Sequence, residues 1–300
     1  MIVHVLDAPS NLGLRMPAPG VVPGCYKLAG ALRDQRLVAR LGARDAGVVV
    51  PPRYDTSGWA PGDGVFNAAA LARYTRRLAD RVAALRAPGD LTVLLGGDCS
   101  ILLGAVLALR RSGRVGLVYV DGHSDFRHAG NSPHVGAAAG EGLAIVTGRG
   151  QPDIADIDGL GPYVDGADVA ALGMHEPGDE LLPEARAAVG SLHDVGEMRA
   201  VGMAAAARTA LAGIGADTVW VHLDVDVLDP SVMPAVDSPD PGGLDPAELV
   251  EVLVPLLADP RTVGIDVAIY DPDLDEDGVG AALIADVLTE AMTAAGRCGT

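Results

Sequence analysis

The chain has one lysine, Lys27, and 22 basic residues in all against 40 acidic ones, which leaves a formal net charge of −18 over 300 residues. Phosphate backbones and anionic membrane surfaces need basic faces, so this deficit argues against nucleic acid and membrane as partners. Long apolar runs are missing as well: nothing approaches the roughly 18 consecutive apolar residues of a membrane span. The opening "MIVHVLDAPS" lacks the basic segment and apolar stretch of a secretory leader, so a cytoplasmic location is expected;. Cysteine is scarce too. Cys25, Cys99 and Cys298 lie too far apart for a disulfide framework or a zinc ribbon, which agrees with a reducing compartment;. Each must be explained singly.

A hydrophobic fraction of 49% over this length can bury a large core, compatible with one large α/β domain or two small ones;. Short apolar runs alternate with longer helical patterns. Candidate strands cover residues 2–6, 47–50, 91–97, 115–121, 167–174, 191–195, 218–226 and 262–271. Most are continuously apolar, the pattern of a parallel sheet covered by helices on both faces. In "FNAAALARYTRRLADRVAALR", Leu71, Tyr74, Leu78, Val82 and Leu85 recur at helical spacing, so that face is core and the arginines lie on the other;. "LDPAELVEVLVPLL" starts with Asp245 as N-cap, Pro246 at the first helical position and Glu248 completing a capping box, and Pro255 is expected to kink or end that helix;. With no internal repeat and no linker, residues 1–300 are expected to form one doubly wound α/β domain.

In such sheets, functional groups collect at the carboxyl ends of strands. Three of these ends carry unusual chemistry. "LTVLLGGDCS" puts Cys99 in a glycine turn; "VGLVYVDGHSDF" puts Asp121, His123 and Asp125 at i, i+2 and i+4, on one side of an extended backbone; "VWVHLDVDVLDP" does the same with Asp224 and Asp226;. Taken singly, each reads as a capped turn or a packed thiol. Together, at least four carboxylates crowding one sheet edge would repel one another unless cations neutralised them, and carboxylate and imidazole donors at this density suit a pair of divalent ions such as Mn²⁺. Two such ions about 3.5 to 4 Å apart make water a nucleophile near neutral pH, which points to hydrolysis.

The ordered set GGD-x-S, D-x-H-x-D and L-D-x-D-x-x-D-P resembles the ureohydrolase superfamily of arginase, agmatinase, guanidinobutyrase and formiminoglutamase. "GVVPGCYKLAGAL", "MPAVDSPDPGGL" and "VGIDVAIYDP" are similar to further family segments, so the resemblance covers nearly the whole chain. It implies an arginase-like three-layer α/β/α fold around a mostly parallel eight-stranded sheet, often in a homo-oligomer. It also implies a binuclear manganese centre in which Asp121 and Asp224 bridge the ions, His123 and Asp226 complete one shell and Asp125 binds the other ion. The sixth position, a histidine in most members, falls on Cys99. The implied reaction is attack of hydroxide on a guanidinium or formimino carbon, with Asp125 orienting it and managing its proton.

Three departures qualify the resemblance. A Cys99 thiolate adds negative charge and favours softer metals, so Zn²⁺ or Fe²⁺ rivals Mn²⁺, and the exchange is similar to that in ureohydrolases of Nω-hydroxyarginine. Ala139 stands where arginases carry a proton-shuttling histidine, and Ile269 where they carry a glutamate that binds the guanidinium. Replacements are sought nearby: His128 or His134 for the histidine, Glu141 for the anion, with His175 and Glu176 as weaker candidates for distal substrate contact. The acidic run at 271–278 reads as a solvated loop that could attract cations. Cys25 is assigned to packing and Cys298 to the surface. The expected activity is hydrolysis of a small guanidino or formimino compound other than plain arginine, such as Nω-hydroxyarginine, agmatine or a guanidinobutyrate-like molecule. The competing reading is an inactive metal-binding scaffold or regulator. A zinc deacetylase is disfavoured because such enzymes lack the GGD-x-S turn and the paired motifs.

Overall fold

The structure is a computed structural model that describes residues 1–298. Eight strands form one sheet: β1 (Val3–Asp7), β2 (Arg44–Val48), β3 (Leu91–Leu95), β4 (Gly116–Val120), β5 (Val169–Met174), β6 (Ser191–Asp194), β7 (Val219–Asp224) and β8 (Thr262–Ala268). Their order is β2-β1-β3-β8-β7-β4-β5-β6, and every pair is parallel. The last two strands of the chain are thus inserted between β3 and β4, which gathers four strand ends, β3, β8, β7 and β4, side by side.

Both faces of the sheet are covered. In β4, Val118 and Val120 enter one apolar core while Leu117 and Tyr119 enter the other; in β7, Val221 and Leu223 oppose Trp220. Two-sided burial is why these strands read as unbroken apolar runs. Helix Ala68–Leu85 buries Leu71, Tyr74, Leu78 and Val82 and exposes Arg73, Arg76, Arg77 and Arg81, as its periodicity predicts.

Some boundaries differ from the sequence expectation. The run at 47–50 marks the exit of an edge strand rather than its body: β2 occupies Arg44–Val48, with Ala46 its one buried residue, because an edge strand buries little;. Strand β8 stops at Ala268 because Ile269 takes φ 78, outside the extended region;. Pro255 does not end its helix, which runs from Pro246 to Ala258. The capping box of Asp245 and Glu248 holds its start, and burial of Leu249, Val252, Leu253, Leu256 and Leu257 compensates for the one hydrogen bond that proline removes;.

Candidate metal centre

The glycine turn after β3 is hung from its neighbours by backbone. Gly96 N donates to Val267 O and Ile269 N to Gly97 O, at 2.9 and 2.7 Å. A β-carbon on Gly97 would sit 1.6 Å from Ser10 O, so no other residue fits there;. Asp98 is buried and acts as a brace: it caps the following turn through Ser100 N and accepts from Gly13 N and Ser10 Oγ. This turn sets Cys99, 2% exposed, so that its thiol donates to Asp224 Oδ2 at 2.8 Å.

Pairing of β4 with β7 puts Val120 opposite Leu223, so Asp121 and Asp224 leave the sheet side by side. Asp121 Oδ1 accepts from His123 N, Asp224 Oδ1 from Asp226 N, and Asp226 Oδ1 from Gly122 N. His123 Nδ1 lies 2.9 Å from Asp226 Oδ2, and its Nε2 lies 3.0 Å from Asp240 Oδ2. Two donor sets result, each with its atoms within 4.8 Å of one another: Asp121, His123 and Asp226, and Cys99, Asp121, His222 and Asp224. Asp121 belongs to both.

Five of the six residues expected as ligands therefore fall in these two sets; Asp125 belongs to neither, though it lies close enough to Cys99 and Asp121 for their charges to act on one another. Its Oδ2 accepts from the Tyr119 hydroxyl at 2.6 Å, and its backbone takes φ 45, an uncommon conformation for a residue with a side chain;. His222 was not among the expected ligands. Its signal was available, since it precedes Asp224 by two residues in a strand and so shares its face;.

The donors fit a cation. Asp121 Oδ2 and His222 Nε2 are buried and have no hydrogen-bond partner. Burial, reinforced by neighbouring carboxylates, pushes the Asp121, Asp125 and Asp224 carboxyls up, the latter two well above the usual carboxylate range. Burial and then Asp224 push the Cys99 thiol up in the same way. Asp226 goes down, because hydrogen bonding and charge from His123 outweigh its burial. A site that resists carrying its own negative charge is one a divalent ion would stabilise.

The cluster opens into a cleft of about 980 Å³ lined by Arg15, Arg127, Asp125, His134, Glu176, Asp237 and Asp240 among others. Burial, then Asp226, pushes the Asp237 carboxyl up to about 7. Ala139 and Ile269, both buried, form an apolar part of the wall. Glu141 is turned away from the cleft: it is buried and its Oε1 accepts from Gly136 N at 2.7 Å. His128 is also elsewhere, against Glu184 Oε1 at 3.0 Å. His175 packs against Gly173 O and Asp240 O outside the cleft. The run at 271–278 is not merely solvated: Asp271 accepts from Gly24 N, Asp273 pairs with Lys27, and Asp275 holds Tyr270 and the start of the next helix. Cys25 is buried, its thiol against Ser10 O, and Cys298 is half-buried.

Fold and site together define a class, an α/β protein with a candidate divalent-metal centre in a cleft at the carboxyl edge of a parallel sheet. The model of the arginase family matches residues 24–294. The chain is 29% identical to the arginase of Agrobacterium fabrum, over 95% of this chain and 88% of that one, and 28% identical to the formimidoylglutamase of Aeromonas salmonicida, over 85% and 78%. The arginase of Bacillus caldovelox superposes with a TM-score of 0.84 at 24% identity, covering 97% of each chain, so the fold is shared. The protein belongs to the arginase family, whose members are metal-dependent amidinohydrolases acting on C–N bonds at a binuclear metal centre. Among the described residues no helix is long and apolar enough to cross a membrane.

Proposed function

We propose that this protein hydrolyses a small guanidino or formimino compound other than plain arginine, with two divalent metal ions held by Cys99, Asp121, His123, Asp125, Asp224 and Asp226. The observation that carries the reading is the convergence of three strand ends on two donor sets that share Asp121, whose Oδ2 is buried without a partner. When bound, the ion pair supplies Lewis acidity and makes hydroxide available near neutral pH.

The remaining work falls to the chain. Hydrolysis forms a C–O bond from water to the amidine carbon, breaks a C–N bond and sends the amine away with a proton. Asp125 lines the cleft into which the donor cluster opens, and this position supports it as the group that holds the proton between the two events;. Tyr119 fixes its orientation. Carboxylates on the wall, Glu176 and Asp240 among them, favour a cationic substrate, while Arg15 and Arg127 at the same cleft offer partners to a carboxylate on its far end;. His134 lines the cleft and is the candidate for the proton-shuttling role that Ala139 cannot fill. Ile269 offers no hydrogen bond to a guanidinium, which disfavours arginine and leaves room for a substituted or apolar group.

The apolar Ala139 and Ile269 also favour a second reading, a metal-binding scaffold without turnover. Reconstitution with Mn²⁺, Zn²⁺ or Fe²⁺, metal counting per chain, and a screen of arginine, Nω-hydroxyarginine, agmatine, guanidinobutyrate and formiminoglutamate separate the two. Release of urea, a substituted urea or formamide from a substrate other than arginine is expected. Bound metal with no turnover on any of them favours the scaffold, and less than one metal per chain sinks the binuclear site itself.

A further inference from the structure

We infer that His222 is itself a metal ligand, its Nε2 joining Cys99 Sγ and one oxygen each of Asp121 and Asp224 in a mixed nitrogen, sulfur and oxygen site that selects zinc or ferrous iron over manganese. The inference rests on the metal-centre reading above and goes beyond its six donors.

The geometry comes from the sheet. Strand β7 puts Trp220, His222 and Asp224 on one face, and pairing with β8 sets Asp266 directly opposite His222;. Asp266, fully buried, accepts from His222 Nδ1 at 2.5 Å and from Trp220 Nε1 at 2.5 Å. The Tyr119 ring lies against the imidazole with centroids 4.6 Å apart. The ring is therefore fixed in plane and in tautomer: Nδ1 carries the proton and Nε2 the lone pair. A carboxylate behind the distal nitrogen is the usual support of a metal-bound histidine, since it sets the ring and raises its basicity.

Nε2 is fully buried and lacks a hydrogen-bond partner. Its neighbours within 4.8 Å are a thiol already donating to Asp224 and the carboxyl groups of Asp121 and Asp224, and none of them hydrogen-bonds to it. Donors around one tetrahedral ion lie about 3 to 4 Å apart, given metal–ligand bonds of about 2.0 to 2.3 Å. The four groups all lie within 4.8 Å of one another, so small side-chain adjustments would bring them onto one ion. Thiolate, imidazole and two carboxylates match the donor types of zinc and ferrous sites, whereas manganese takes oxygen-rich octahedra. The imidazole adds no charge, so it supplies a strong donor without worsening the repulsion among the carboxylates.

The test uses the full chain, stripped of metal, and the variants His222→Gln, Asp266→Asn and Cys99→Ser. Zinc affinity is read by competition with a chromophoric chelator, and coordination by the visible and near-ultraviolet spectrum of the cobalt(II) form. The wild-type chain should bind two ions. Asp266→Asn should weaken one by about 10- to 100-fold, the usual cost of a lost outer partner, and His222→Gln by about 100-fold or more. The cobalt spectrum should lose intensity in His222→Gln and its thiolate charge-transfer band in Cys99→Ser. If His222→Gln folds and leaves zinc affinity and the cobalt spectrum unchanged, His222 is packing and this inference fails, while the six-donor centre stands. If the wild-type chain binds no zinc, cobalt or manganese above trace, the centre itself is wrong. Should His222→Gln not fold, NMR of the wild-type chain with isotope-labelled histidine and an NMR-active cadmium isotope decides. Metal–nitrogen coupling to an imidazole Nε2 supports His222, because His123 turns Nδ1 toward its own set; coupling to Nδ1 alone overturns it.

Discussion

Replacing Glu141 by glutamine should make the protein more stable as pH rises. Glu141 is buried in the loop that follows the D-x-H-x-D motif, and burial pushes its carboxyl up from 4.5 to about 7, against the hydrogen bond from Gly136 and the charges of Arg127 and Arg15. A carboxyl whose pKa is higher folded than unfolded binds protons more tightly in the folded state. Its contribution is fully present below 4.5 and is lost as pH climbs through about 7;. At 1.36 kcal/mol for each pKa unit, ionising Glu141 in the folded chain costs about 3 kcal/mol. Glutamine keeps the oxygen that accepts from Gly136 and cannot ionise. The two proteins share every other titrating group, so their stability difference isolates this one. Urea denaturation at a series of pH values should show near-equal stability at pH 4 and a gain for Glu141→Gln of up to about 3 kcal/mol by pH 8, most of it appearing between pH 5 and 7. A difference that does not change with pH would refute the assignment of that carboxyl to a dry tether, and a loss that grows with pH would reverse its sign.

Three other outcomes follow from the same geometry. Cys99→Ser should lower metal affinity at one site while circular dichroism stays unchanged, and Cys99→His should tighten manganese; if neither alters metal content, Cys99 is only packing. Metal binding should strengthen with rising pH and release protons, because burial and mutual repulsion raise the Cys99, Asp121, Asp125 and Asp224 groups and an incoming cation must displace what they hold;. Calorimetry in buffers of different ionisation enthalpy reads that release, and its absence would contradict the charge picture. Gly97→Ala should destabilise by about 3 kcal/mol or more, at or above the upper range of overpacking, because its β-carbon meets a backbone oxygen that no rotamer can move aside;; chemical denaturation checks it.

How much of this was legible before the fold differs from element to element. The inner strands were, because a sheet buried on both faces leaves unbroken apolar runs, whereas the edge strand β2, which buries only Ala46, showed only at its exit;. Asp121, His123, Asp224 and Asp226 were, because a two-residue period puts side chains on one face whatever surrounds them. The helix from Pro246 was legible at its start and not past Pro255, since the apolar face that carries it through proline exists only against its neighbours. His222 was passed over because a histidine within an apolar strand reads as core. Its partner Asp266 lies on the next strand and Cys99 two strands away, so only pairing of β3, β8 and β7 reveals the group. Glu141 and His128 carried the right chemistry for the cleft, and the path of their loop turned both elsewhere.

By itself the sequence determined the residue types, their local periodicity and hence the parallel sheet, the glycine turn and the stock of metal-binding side chains, all properties of a few consecutive residues. The tertiary structure decided which of those side chains meet. It seated Cys99 on Asp224, drew Asp125 to Tyr119, and set His222 between Asp266 and the carboxylates. The physical reason is that these contacts depend on strand order and register across tens to hundreds of residues, and those are settled by burying both faces of the sheet at once rather than by any local signal.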